Sequence, residues 1–144
     1  MATEFQVAFD CADPPVMARF WADALGYRLE GPPEPDTNWQ KSLADSGIPE
    51  QEQDDTSAIC DPEGGGPRIF FQRVPEPKET KNRLHLDLNV GGGPDAPLVA
   101  RRTRVDEAAQ RLARLGARFV AATTEHGEYF VTMRDPEGNE FDLQ

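Results

Sequence analysis

The sequence predicts an α+β fold made of two tandem βαβββ modules related by a pseudo-twofold axis. The first observation is a repeated phrase: Asp61-Pro62-Glu63-Gly64 returns as Asp135-Pro136-Glu137-Gly138. The second is an amphipathic stretch before each phrase, ending in Leu-Gly at Gly26 and at Gly116. The third is an apolar-polar alternation ahead of each stretch, as in a half-buried strand. A unit used twice forms a cleft along its axis, and we expect a ligand there.

The first module opens with a strand at residues 5–10, where apolar and polar side chains alternate. Asp13 precedes a proline and suits a helix N-cap, and Gly26 suits a C-cap, so a helix is predicted over 14–25. Three further strands are predicted at 27–30, 56–60 and 68–74. The repeated phrase is the turn between the last two. A polar, proline-rich insertion occupies 32–55.

The second module repeats this order of elements. Its predicted elements are a strand at 83–90, a helix at 104–115 and strands at 118–122, 128–134 and 140–143. The modules therefore span 1–74 and 83–144, with a linker at 75–82 that contains two prolines. Together they form one domain of ordinary size.

Composition excludes several classes of function. The 144 residues include 15 Lys and Arg against 26 Asp and Glu, a net charge of −11, which disfavours nucleic acid as a partner. No apolar run reaches the length of a membrane span and no signal peptide is evident, so we expect a cytoplasmic protein with no membrane partner. Two cysteines cannot build a disulfide framework. The acidic surface favours a cationic ligand or simply keeps the protein soluble.

Several phrases together carry a family resemblance. These are 10–14 (Asp-Cys-Ala-Asp-Pro), 24–26 (Ala-Leu-Gly), 71–78 (Phe-Gln-Arg-Val-Pro-Glu-Pro-Lys), 82–88 (Asn-Arg-Leu-His-Leu-Asp-Leu) and 135–141 (Asp-Pro-Glu-Gly-Asn-Glu-Phe). With them the chain resembles the vicinal oxygen chelate superfamily, the glyoxalase and bleomycin-resistance group. The resemblance implies a curved mixed sheet around a central cleft, and a homodimer. It does not fix the reaction, because the group includes lyases, isomerases, extradiol dioxygenases and drug-sequestering proteins.

The resemblance also implies four metal-ligand positions, on the first and last strand of each module. They fall on Gln6, Gln72, His85 and Asp142. Alternation independently turns Gln6, His85 and Asp142 away from the helices, whereas the strand of Gln72 is apolar on both faces. The metal would be a divalent Ni, Zn, Fe or Mn ion. The alternative is a hydrogen-bonded polar cavity lining, because two glutamines are weak ligands and the second histidine, His126, lies in a predicted loop.

If a metal is bound, the resemblance implies a lyase or isomerase that acts on a small oxygenated substrate. The ion would polarise substrate oxygens, and a carboxylate, Asp142 or Glu140, would move the proton. An extradiol dioxygenase is disfavoured, because two histidines and a carboxylate cannot be assembled as ligands.

The alternative function is metal-free binding of a small, aromatic and cationic molecule. Asp10 and Asp87 occupy matching places on the first strands and could grip a cation, or could make ordinary cross-strand hydrogen bonds. Trp39 lies in the polar insertion and could close over the cleft as an aromatic lid, or pack against the sheet. Phe70 would supply a further aromatic surface.

Overall fold

The computed structural model describes residues 1–31 and 54–144. Trp39 lies outside the described residues, as does most of the predicted insertion. The chain divides into two compact units, Met1–Pro77 and Lys78–Gln144. No helix of the described residues is long and apolar enough to cross a membrane.

The first unit contains one helix and a four-stranded mixed sheet among its described residues. Its elements are β1 (Val7–Cys11), α1 (Pro14–Leu25), β2 (Arg28–Leu29), β3 (Thr56–Cys60) and β4 (Ile69–Arg73). The strand order is β1-β4-β3-β2. β1 runs parallel to β4, and the other neighbouring pairs are antiparallel.

Helix α1 begins and ends where its capping residues predict. The Asp13 side chain accepts a hydrogen bond from the Val16 backbone at 3.1 Å, and Gly26 ends the helix with a φ of 70°. Its apolar face is buried, with Trp21 packed 5.6 Å from the ring of Phe9 on β1. Alternation on β1 therefore turns Phe9 toward the helix and its neighbour Asp10 away from it.

The second unit repeats the architecture. Its elements are β5 (Asp87–Leu88), α2 (Leu98–Arg114), β6 (Arg118–Glu125), β7 (Glu128–Arg134) and β8 (Glu140–Leu143). The strand order is β5-β8-β7-β6, with β5 parallel to β8 and the other pairs antiparallel. Because β1-β4-β3-β2 and β5-β8-β7-β6 are the same arrangement, the prediction of an α+β fold with two βαβββ modules is confirmed.

Two elements differ most from the sequence prediction. Helix α2 begins at Leu98 instead of 104. The sequence did not predict this start, because the first turns carry arginines and exposed side chains and show no apolar periodicity. The buried residues of the helix are Val105 and Leu112. Strand β5 is limited to 87–88 instead of 83–90. One reason is that the Asn82 side chain, in place of a backbone carbonyl, accepts the hydrogen bond from the Glu140 backbone at 3.2 Å.

The repeated phrase is a structural turn in both units. The Asp61 carboxylate accepts backbone hydrogen bonds from Glu63, Gly65 and Gly66 at 2.9–3.0 Å, and these bonds, with that from Glu63 foremost, lower its pKa. The carboxylate of Asp135, which is fully buried, accepts from Glu137 and from the backbone and side chain of Asn139. The aspartate therefore recurs because it closes the hairpin.

Candidate functional site

Strand register gives a residue-by-residue correspondence between the units. Phe70 on β4 lies opposite Ala58, and Asp142 on β8 lies opposite Thr132. Ala58 and Thr132 each stand three residues before the aspartate of the repeated phrase. Phe70 is therefore the equivalent of Asp142. The predicted equivalence of Gln72 and Asp142 is wrong by one full period of the strand. Gln72 and Phe70 share a sheet face, so side-chain alternation cannot distinguish them, whereas strand pairing does.

The parallel strand pairs extend the correspondence. Ala8 lies opposite Phe70, and Asp87 lies opposite Asp142, so Ala8 is the equivalent of Asp87. Two residues earlier, Gln6 corresponds to His85, as the sequence predicted. Two residues later, Asp10 corresponds to Asn89, so the predicted match of Asp10 with Asp87 is wrong.

A hydrogen-bonded pair in each unit supports this correspondence. Gln72 Nε2 donates to Asp10 Oδ1 at 2.7 Å in the first unit. Gln144 Nε2 donates to Asn89 Oδ1 at 3.0 Å in the second. A glutamine at equivalent positions of the two units therefore bonds to residues that are themselves equivalent.

The second unit brings a histidine and two carboxylates together on the sheet face that points away from α2. His85 Nδ1 lies 2.7 Å from Asp87 Oδ1, and Asp142 is the partner of Asp87 across the parallel strands. One ligand atom of each residue lies within 4.8 Å of the other two. On β8, Phe141 and Leu143 are fully buried, whereas Asp142 is only half-buried. Alternation thus presents the cluster on the accessible face, as predicted for His85 and Asp142.

Thr132 positions one member of this cluster. Its hydroxyl donates to Asp142 Oδ1 at 2.6 Å from the neighbouring strand. Sequence reasoning missed Thr132. The available signal was that Thr132 is a polar residue between two apolar ones, Val131 and Met133, both of which are buried. Alternation therefore places Thr132 on the accessible face, beside its cross-strand partner Asp142.

The donor set suits a divalent cation. One imidazole nitrogen with carboxylate oxygens is a ligand combination that Mn, Fe and Zn accept. Ligand atoms bind these ions at about 2.0–2.2 Å, so opposite ligands are about 4 Å apart. The three ligand atoms already lie within 4.8 Å of one another, so small side-chain rotations would bring them to that spacing. Hydrogen bonding of a ligating carboxylate, as by Thr132, is also typical of metal sites.

Glu140, the other predicted proton carrier, is held by cations. Lys81 Nζ lies 2.5 Å from Glu140 Oε2, and Arg134 Nη2 lies 3.6 Å from Oε1. The hydrogen bond from Lys81 is the main cause that lowers the pKa of Glu140. A carboxylate with a lowered pKa is a weaker base, so this geometry favours an ion-pairing role.

The predicted site residues of the first unit are engaged in hydrogen bonds and ring contacts of their own. Gln6 Oε1 accepts from Arg68 Nη1 at 3.0 Å, and Arg68 also pairs with Glu30 at 2.7 Å. The Arg68 guanidinium lies 5.5 Å from the ring centre of Phe70. Gln6 and Gln72 stay predictions as ligands of a metal at His85 and Asp142.

Comparison with solved structures shows the fold. A hypothetical protein from S. aureus has a TM-score of 0.61 at 17% identity, with 99% of this chain and 96% of that chain covered. A possible glyoxalase from Bacillus cereus has a TM-score of 0.61 at 14% identity, covering 100% and 99%. A mutant of the fosfomycin resistance protein FosX from Listeria monocytogenes, complexed with Mn(II) and 1S,2S-dihydroxypropylphosphonic acid, has a TM-score of 0.63 at 11% identity, covering 100% and 90%.

Comparison with protein families is more specific. No curated protein matches the chain in sequence. The family described as Glyoxalase-like domain matches residues 6–144, which is nearly the whole chain. The chain therefore belongs to the glyoxalase-like domain family, in agreement with the resemblance in its sequence.

Proposed function

We propose that the protein is a metal-assisted lyase or isomerase that acts on a small oxygenated substrate. The observation that carries the proposal is the cluster of His85, Asp87 and Asp142, with ligand atoms within 4.8 Å of one another on an accessible sheet face. Mn(II) in the FosX structure, on a similar fold, supports a divalent ion in this family.

The protein's residues have distinct tasks in this proposal. His85, Asp87 and Asp142 would hold the ion, which supplies Lewis-acid polarisation of substrate oxygens. Thr132 fixes the orientation of the Asp142 carboxylate through its 2.6 Å hydrogen bond. Glu140 is paired with Lys81 and Arg134, and Asp142 would bind the ion, so the group that moves the proton stays a prediction. A homodimer and a cytoplasmic location stay predictions.

The proposal is tested by metal analysis of His85→Ala beside His126→Ala. After chelation and reloading with Ni, Zn, Fe or Mn, we expect the native protein to bind about one ion per chain. His85→Ala loses a direct ligand, so we expect its affinity to fall by at least about 100-fold. His126→Ala is the matched control, because the His126 side chain is 89% exposed and lies outside the cluster. Equal metal binding by both variants, or none by the native protein, would contradict the proposal.

The second candidate function is metal-free binding of a cationic aromatic molecule. One observation favours it: the exposed Asp10 on β1 and Phe70 on β4 lie on the same face of the sheet. Asp10 pairs with Gln72, and Gln72 shares the face of Phe70 because it follows Phe70 by two residues. Absence of metal uptake, combined with a rise in melting temperature with cationic aromatic compounds, would replace the first proposal with this one.

A further inference from the structure

A separate cavity in the second unit lies beside the start of α2. Its volume is about 570 Å³, within the range of small-molecule sites. Pro94, Tyr129 and Phe130 supply apolar surface, and Asn89, Arg101 and Gln144 supply polar groups. An apolar wall with a few polar groups is the usual composition of a ligand site.

A glycine run shapes one wall of this cavity. The Gly91 carbonyl accepts a hydrogen bond from Arg104 Nη1 at 2.9 Å, which holds the loop against the helix. Gly92 has a φ of 94°, and a side chain there would collide with the guanidinium of Arg104. The positive φ is what favours glycine here, because the flexible Arg104 side chain could move away from an added side chain.

Arg101 is the cationic group of the cavity, and its hydrogen bonding is incomplete. The side chain is only 21% exposed, and Nη1 donates to Glu128 Oε2 at 2.6 Å. Its Nε is buried and has no hydrogen-bond partner, the single such side-chain atom found in the part of the chain that the structure describes. A buried donor of a charged group without a partner is destabilising. Nε therefore provides an unfilled position for an acceptor.

Glu128 is the carboxylate that now satisfies Arg101 in part. Its side chain is 66% exposed, so the ion pair is solvated on one side and contributes little stability. Rotation of Glu128 into solvent is thus inexpensive, and it would lessen the repulsion between Glu128 and a second carboxylate at the guanidinium. A second carboxylate can then accept hydrogen bonds from Nε and Nη2, which share one edge of the guanidinium.

We propose that this cavity binds the carboxylate of a small organic acid. The carboxylate accepts hydrogen bonds from Nε and Nη2 of Arg101, beside the Nη1 that bonds to Glu128. The apolar body of the acid packs against Pro94 and Phe130. An uncharged analogue of the same shape gains only the apolar contacts.

The cavity adjoins the candidate metal cluster. Asn89 and Gln144 follow Asp87 and Asp142 by two residues and therefore share their sheet face. The ladder continues this far, since the Gln144 backbone donates to Leu88 at 3.0 Å. Two residues span about 7 Å, a distance that a small acid can bridge. The substrate is thus an oxygenated carboxylic acid. This assignment of a substrate rests on the proposed function, whereas the binding of a carboxylate by the cavity is independent of it.

The test is an NMR titration of chelator-treated protein with benzoate, benzamide and phenylphosphonate. We expect benzoate to shift the backbone amides of Gly91, Gly93 and Tyr129, with little effect of benzamide. Arg101→Gln should weaken benzoate binding by about tenfold or more. Glu128→Gln removes the negative charge beside the bound carboxylate and should strengthen binding by severalfold. Arg114→Gln, on the same helix outside the cavity, removes the same charge and should change nothing.

Each other outcome has a defined meaning. Absence of benzoate shifts at these amides overturns the proposal, as does equal loss of binding in Arg101→Gln and Arg114→Gln. Phenylphosphonate binding more tightly than benzoate overturns the assignment to carboxylic acids. Because the metal has been removed, failure here is independent of the metal test. Conversely, benzoate binding to a protein that takes up no ion would retain the cavity and refute the metal-assisted function.

Discussion

At the scale of single residues, the hydroxyl of Thr132 tests whether the cluster is organised for a metal. Thr132→Val keeps the shape of the side chain and removes the 2.6 Å hydrogen bond to Asp142. We expect metal affinity to fall by about 10–100-fold, because a ligating carboxylate loses its orienting partner.

The control for this change is Thr124→Val, an exposed threonine on β6. Both proteins are compared by calorimetric titration with Mn²⁺ and by their melting temperatures without metal. A purely structural role for Thr132 would lower the melting temperature and leave the affinity unchanged. That result would remove Thr132 from the site.

The residue scale also shows how far sequence reasoning reached. Alternation correctly turned His85 and Asp142 to the accessible face, because the apolar residues of the opposite face include the buried Leu88, Phe141 and Leu143. It could not distinguish Gln72 from Phe70, because residues two apart share a face and only the paired strand fixes the register. The contact of Thr132 with Asp142 depends on pairing between strands, which a single strand's pattern does not specify.

At the scale of elements, the two hairpin turns share one phrase but differ in burial. Asp135 is fully buried and supports the backbone and side chain of Asn139, whereas Asp61 supports an exposed glycine turn. We expect Asp135→Ala to lower the free energy of unfolding by about 2–4 kcal/mol, since several donors lose their acceptor in a buried site. Asp61→Ala should cost clearly less, because water can replace the lost acceptor.

Urea denaturation of the two variants measures this difference. An equal loss in both, or a larger loss for Asp61→Ala, would show that burial of the turn does not decide its contribution to stability.

The elements themselves were predictable where capping and periodicity agree, as in α1. They were less so in α2, whose arginine-rich beginning lacks an apolar stripe although it is helical.

At the scale of the whole molecule, duplication explains the fold but not the chemistry. The positions equivalent to His85, Asp87 and Asp142 hold Gln6, Ala8 and Phe70 in the first unit. The first unit therefore lacks a cluster of its own at these three positions, and the repeat is symmetric in strand order only. The sequence predicted the duplication because turns and caps recur, whereas the asymmetry became visible only when strand pairing aligned the two copies.

This asymmetry leads to a prediction for the stability of the whole protein. If an ion binds to the folded second unit, free Mn²⁺ at about 100 times its dissociation constant adds about 2.7 kcal/mol to the free energy of unfolding, and a chelator removes it. Asp142→Asn should abolish this stabilisation, because it removes a ligand charge. Asp95→Asn makes the same charge change in an exposed loop and should retain it. Thermal unfolding of the three proteins with and without Mn²⁺ decides between a specific site and general screening of the net charge of −11. Stabilisation of equal size in all three would identify general screening and contradict a site at the cluster.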